Sequence, residues 1–247
     1  VLKCRAVPLV PTQFADLLTR KGRRALDGKI PALNGILKTG TRLIAANDLL
    51  DPAKSRAVLG ALEASVTRHL TLIDDPVPPE TIWGMTRNYS EELPKALRFR
   101  TVSMASRRSK GVRAVERLGI QRMLTSDTFG RFAEVISGRR VKPRWGTQLL
   151  AYGPGDYVGP HNDHHPENAD SRDGYTDIHL TFCTAGVARQ SIVYAPLGHF
   201  SDEVDVNQLG GITAYRLPFW HYTTPLIARR GQHARRWVLL GTFLDRG

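Results

Sequence analysis

Residues 146–247 fall into short segments of alternating apolar and polar residues, parted by turns rich in Gly, Pro, Asn and Asp. This pattern restricts the fold more than any other feature of the chain. Strands are predicted over 147–152, 176–183, 190–194, 211–217 and 235–244, because a period of two turns one face inward and the other outward. Short strands at such spacing build a sandwich or a barrel.

The first 145 residues read differently. Phe14, Leu17 and Leu18 sit at helical spacing within 11–21. Asp51-Pro52 opens a longer helix, with Asp51 as N-cap and Pro52 at the first helical position. Val58, Leu59, Leu62, Val66 and Leu70 then form one apolar stripe. Pro76, Pro78 and Pro79 make 74–80 a loop, and 99–104 suits a strand. Two further helices are expected over 110–124 and 125–136, the second capped by Ser126 and stopped by Gly138. The expected organisation is a basic, mainly helical region, 1–145, packed as one unit on a β-rich core, 146–247.

The chain has 247 residues, enough for one large domain. No apolar run reaches the ~18 residues that span a bilayer, and the start of the sequence shows no apolar signal core. Cys4 and Cys183 form no C-x-x-C motif. With no disulfide framework, a reducing, cytoplasmic setting is expected. Net charge is +12 and unevenly spread. Residues 1–145 carry 27 Lys/Arg against 13 Asp/Glu, and 98–144 alone carry 13 against 3. Such a field attracts an anionic substrate, or a protein or nucleic acid with an acidic surface. Arg107, Arg108, Lys110, Arg113 and Arg117 are its densest part, expected to border the site. A solvated face with no partner accounts for the same charge.

Seven of the eight histidines follow residue 160. His161 and Asp163 form an H-x-D pair, and alternate residues of an extended segment point the same way. His164 and His165 come directly after, but neighbours on a strand face apart, so all four cannot converge. His179 shares a segment with Ile178, Leu180 and Phe182 on the opposite face, and reads as a hydrogen-bonding residue. His199, His221 and His233 are the candidates for a third, distal ligand. Two His and one carboxylate leave open positions on a metal and suit non-haem Fe(II).

Three stretches taken together resemble the Fe(II)/2-oxoglutarate-dependent dioxygenase superfamily, in particular its prolyl-hydroxylase-like branch. They are Tyr152 to Asp163 with its Gly-Pro-Gly turn, His221 followed four residues later by Pro225, and the strand opening Arg236-Trp237. The resemblance covers roughly 146–247. It implies an α+β fold, a double-stranded β-helix (jelly-roll) core with N-terminal flanking helices. It implies Fe(II) on His161, Asp163 and His221, and 2-oxoglutarate as co-substrate. Arg236 would hold its far carboxylate, since a guanidinium binds a carboxylate bidentately. Arg229, Arg230 and Arg235 lie close enough in sequence to replace it. Some branches use a Ser two residues on; Val238 stands there, which leaves Tyr152 as a candidate second contact. The implied reaction hydroxylates a C–H bond and releases succinate and CO2. Two other readings share these residues: a cupin-like metal enzyme without 2-oxoglutarate, and a basic binding protein on an inactive jelly-roll.

Overall fold

The structure, a computed structural model, describes residues 10–38, 40–79, 96–102, 109–143, 145–163, 174–196 and 199–246. Among these, the helices are α1 (Phe14–Leu17), α2 (Arg20–Leu26), α3 (Pro52–Ser65), α4 (Lys110–Arg117), α5 (Ile120–Leu124) and α6 (Asp127–Ser137). The early strands are β1 (Leu43–Ala46), β2 (Thr71–Pro76) and β3 (Ala96–Thr101). Then follow β4 (Gly146–Tyr152), β5 (Tyr157–His161), β6 (Tyr175–Cys183), β7 (Val187–Arg189), β8 (Ser191–Tyr194) and β9 (Asp202–Asp205). The last are β10 (Gly211–Leu217), β11 (His221–Thr223), β12 (Ile227–Ala228) and β13 (Arg236–Leu244).

Eleven of the described strands form one antiparallel sheet in the order β1-β10-β6-β13-β4-β3-β5-β11-β8-β9, with β2 beside β3; β7 and β12 pair separately. The long wall runs from β1 to β4 and the short wall from β5 to β9. β3 joins them, pairing β4 at Arg100 and Thr101 and β5 at Leu97 and Arg98. The expected jelly-roll core is therefore present, with helices on its outer face. The region before 146 is more than helical, however. It contributes β1, β2 and β3 to the same sheet, so core and flank share one hydrogen-bonded framework. β2 covers 71–76, where part of the expected loop lay.

Alternation along β6 and β13 separates two apolar regions. Ile178, Leu180, Phe182, Trp237, Leu239 and Phe243 point outward and join the core with Phe14, Leu17, Leu62, Phe129 and Phe132 of the helices. Val238 and Leu240 point inward with Tyr152, Val158 and Leu226. Gly241 lies under this helix–sheet contact. A Cβ there would stand 2.6 Å from Cε1 of Phe129, so only glycine lets the ring sit this close.

Local signals hold at α3, where the Asp51 carboxylate accepts from the amides of Ala53 and Lys54, and at Gly138, which ends α6 with φ +66°. The expected 110–124 helix breaks at Gly119, whose φ of +83° stops α4 and starts α5. The 11–21 segment likewise divides into α1 and α2 around Leu18 and Thr19. Ser126 does not cap α6 with its side chain. Its hydroxyl donates to the Met123 carbonyl and accepts from the Phe14 amide, so tertiary contact takes the group that local capping would use.

Candidate metal and co-substrate site

His161 ends β5 and His221 opens β11, and the two residues are register partners across the short wall. Each imidazole is oriented by its own backbone: Nδ1 of His161 lies 2.8 Å from the Gly159 carbonyl, and Nδ1 of His221 lies 2.9 Å from that of Phe219. A carbonyl accepts only, so the proton sits on Nδ1 in both rings and Nε2 keeps a free lone pair. Both Nε2 atoms turn to Asp163, whose Oδ2 lies 3.4 Å from that of His161 and 3.5 Å from that of His221. Ligand atoms of the three residues all fall within 4.8 Å of one another. The 3.4 and 3.5 Å separations are within what two donor–metal bonds of about 2.0–2.2 Å span.

The backbone enforces this convergence. Asp163 has φ +53°, the non-glycine residue with positive φ among those described. Asp tolerates the left-handed region better than most residues, and the Tyr175 hydroxyl holds it there by donating to the Asp163 carbonyl at 2.6 Å. The pKa values reflect the same cluster. Burial disfavours charge on His161, but Asp163 outweighs burial and its pKa is raised. Burial and then the neighbouring His161 lower His221 to about 4.

The other histidines separate cleanly. His199 and His233 are exposed, and His233 meets Glu63 at 3.1 Å. His179 lies diagonally across from Tyr215, whose hydroxyl is 2.8 Å from its Nε2. It is the expected hydrogen-bonding residue, and lies outside the ligand cluster. His164 and His165 lie outside the described residues.

Of the four candidate arginines only Arg236 is buried, at 1 % exposure. Arg229 and Arg230 are exposed, and Arg235 reaches outward to Glu63 and Thr67. The Arg236 guanidinium sits 5.2 Å from the centre of the Tyr152 ring and donates from Nη1 to Gln190 Oε1 at 3.1 Å. Its Nε has no hydrogen-bond partner, and no ion pair to it occurs among the described residues. A buried cation without a counter-ion costs several kcal/mol, and burial lowers its pKa. A dicarboxylate end would supply what is missing, so this cation fits the 2-oxoglutarate role. Tyr152 is itself buried, and burial raises its phenol to about 12. The Arg236 charge and a Thr223 hydrogen bond oppose part of that rise.

Between the walls lies a cavity of about 380 Å³. His161, Asp163 and His221 line it from the short wall, and Tyr152, Tyr175, Asp177, His179, Tyr215 and Leu240 from the long wall. Arg236 is not in the lining: the Tyr152 ring stands beside it. Asp177 and Tyr215 went unremarked at the level of sequence. Their signal is visible in retrospect, for Tyr175, Asp177, His179 and Thr181 all fall on the inner face of β6. Arg113 and Arg117 are exposed on α4, whose buried Val112 and Val115 join the outer core. Arg98 and Arg100 pair with Asp74 and Asp156. Arg107 and Arg108 lie outside the described residues.

No protein-family model matches the chain. No curated protein matches it either. Solved structures do. The chain is similar to a prolyl hydroxylase from Trichoplax adhaerens, solved with a hypoxia inducible factor oxygen degradation domain peptide fragment. The identity is 13 %, the match covers 92 % of this chain and 91 % of that one, and the TM-score is 0.50. A prolyl-4-hydroxylase from Pseudomonas putida matches at 14 % identity over 90 % and 99 % of the two chains, with a TM-score of 0.46. At these identities it is the fold that is shared, and the first of the two carries that statement. No helix among the described residues is long and apolar enough to cross a membrane.

Proposed function

We propose that the chain is an Fe(II)- and 2-oxoglutarate-dependent oxygenase that hydroxylates a substrate C–H bond. One observation carries this reading. A His161–Asp163–His221 donor set opens into the cavity of a jelly-roll, and the buried Arg236 beside that cavity has no counter-ion among the described residues. The shared fold with a prolyl hydroxylase supports it. Bound Fe(II) and 2-oxoglutarate would supply the oxidising chemistry, in which one O2 yields hydroxylated substrate, succinate and CO2.

The residues of the chain do the rest. His161 and His221 present Nε2 because the Gly159 and Phe219 carbonyls hold the Nδ1 protons. Asp163 contributes the anionic oxygen and lowers the charge of the site. Arg236 is fixed by Gln190, whose Nε2 also donates to the carbonyls of Asp156 and Thr224. It thereby keeps its remaining donors for the far carboxylate. The cavity walls orient the reacting group and exclude water.

The test is succinate release from 2-oxoglutarate by the full chain with Fe(II), and its loss on chelation. Stoichiometric metal binding with no consumption of 2-oxoglutarate would favour a cupin-like enzyme instead.

A further inference from the structure

Beyond the metal donors, the cavity holds a second carboxylate that this mechanism does not use. Asp177 sits mid-strand on β6, 6 % exposed, and lines the cavity across from the metal ligands. Thr242 is its register partner on β13, and burial first, then the nearby Asp163, raise the carboxyl's pKa well above the ordinary value, so that a cation lying against it would favour its charged form. The Oδ1 atom is buried without a hydrogen-bond partner among the described residues. A buried carboxyl oxygen left unpaired is destabilising, so the position asks for a donor that arrives from outside.

The surroundings say what kind of donor. Tyr215 faces Asp177 directly across β10 and β6, and Tyr175 is two residues away on the same face. The hydroxyls of both tyrosines are already engaged, with His179 and the Asp163 carbonyl respectively. What they add is ring surface beside a carboxylate, and ring faces attract cations. No Lys or Arg is among the described lining residues. Leu97, Phe99, Leu240 and Leu244 provide apolar wall. A carboxylate, two ring faces and an apolar wall match a protonated amine on an apolar stem.

We infer that Asp177 anchors the substrate through an alkylammonium group, so that the substrate class is a protonated amine rather than an anion. The inference rests on the oxygenase reading for the word substrate; the cation site itself is a separate observation. It replaces the expectation drawn from net charge, because a bulk field acts over the whole surface while recognition depends on the groups lining the cavity.

The experiment loads the full chain with Mn(II), a paramagnetic ion, and 2-oxoglutarate. n-Butylammonium, n-butanol and butyrate are then titrated at pH 7, where the amine is protonated. Metal-induced relaxation of the probe protons by NMR reports both binding and closeness to the metal. Butylammonium is expected to bind roughly tenfold more tightly than either other probe, as for a charge-assisted hydrogen bond. Asp177→Asn, which keeps an acceptor of the same shape, is expected to remove that preference, and Asp177→Glu to retain part of it. Equal binding of butanol and butylammonium, or unchanged butylammonium binding in Asp177→Asn, overturns the inference. Should the Asn protein not fold, the ranking of the three probes on the unmodified chain decides alone. Mn(II) and 2-oxoglutarate affinities come from the same samples. If neither binds while butylammonium still binds selectively by calorimetry, the cation site stands and the oxygenase reading fails.

Discussion

His161 and His221 are cross-strand partners whose rings lie 4.3 Å apart, and each donates its Nδ1 proton to the carbonyl two residues before it. The same local device is thus used twice, on β5 and on β11. It leaves both Nε2 atoms facing Asp163.

From this arrangement, His221→Ala is expected to lower bound metal from about one ion per chain to none, because two ligands do not replace three. Succinate release should fall to background in the same protein. Metal analysis after gel filtration is the check, and an unchanged stoichiometry would remove His221 from the site.

Arg236→Ala should weaken 2-oxoglutarate binding by roughly tenfold to a few hundredfold, the equivalent of about 1.5–3 kcal/mol for a charge-assisted bidentate pair. Arg235→Ala and Arg230→Ala should change it little, since Arg235 is committed to Glu63 and Arg230 is exposed. Calorimetric titration of the metal-loaded proteins compares the three. Equal losses would rule out a single anchor.

Glu63 of α3 holds the start of β13 from outside. It accepts from Trp237 Nε1 at 2.6 Å and meets Arg235 and His233 at 3.1 Å. Glu63→Ala strands the Trp237 N–H, with Trp237 fully buried, and is expected to cost about 1–3 kcal/mol of stability. Glu63→Gln keeps an acceptor for that N–H and should cost less, because the partly exposed ion pairs are worth little. Urea unfolding of the two variants separates the contributions; equal losses would put the weight on the ion pairs instead.

His179 gives the metal-free protein a pH dependence with a definite sign. Burial first, then the charges on Arg236 and His221, lower its pKa to about 3. The unfolded chain takes up this proton near pH 6.5, whereas the native fold refuses it until about 3. The stability contributed is complete above pH 6.5 and is lost as pH falls toward 3. His161, with its raised pKa, works in the opposite direction but is common to both proteins compared. The urea midpoint should therefore drop less between pH 7.5 and 4.5 in His179→Gln than in the unmodified chain. Parallel curves would mean that His179 titrates normally.

Much of this protein is local and was legible in the chain itself. β10 begins and ends where its alternation says, Asp51-Pro52 starts α3, and Gly138 stops α6, because each depends on a residue and its near neighbours. The candidate metal donors and Arg236 stand out through motifs carried on short stretches. What only the tertiary structure decided involves distant partners. β1 and β2 exist as strands because β10 and β3 offer them unpaired edges, and no period in 1–145 records that; β3, of which the expected 99–104 covers only the end, is fixed by its pairing to β4 and β5. Ser126 lost its capping role to the Phe14 amide, 112 residues away. Arg236 and Arg235 are adjacent and chemically alike, and the pleat of β13 alone sends one inward and the other to Glu63. Asp177 became a candidate anchor for the same reason: its neighbours in space, Tyr215 and Thr242, are 38 and 65 positions away along the chain. Side-chain chemistry is written in the sequence, but burial and the absence of a partner are properties of the packed structure.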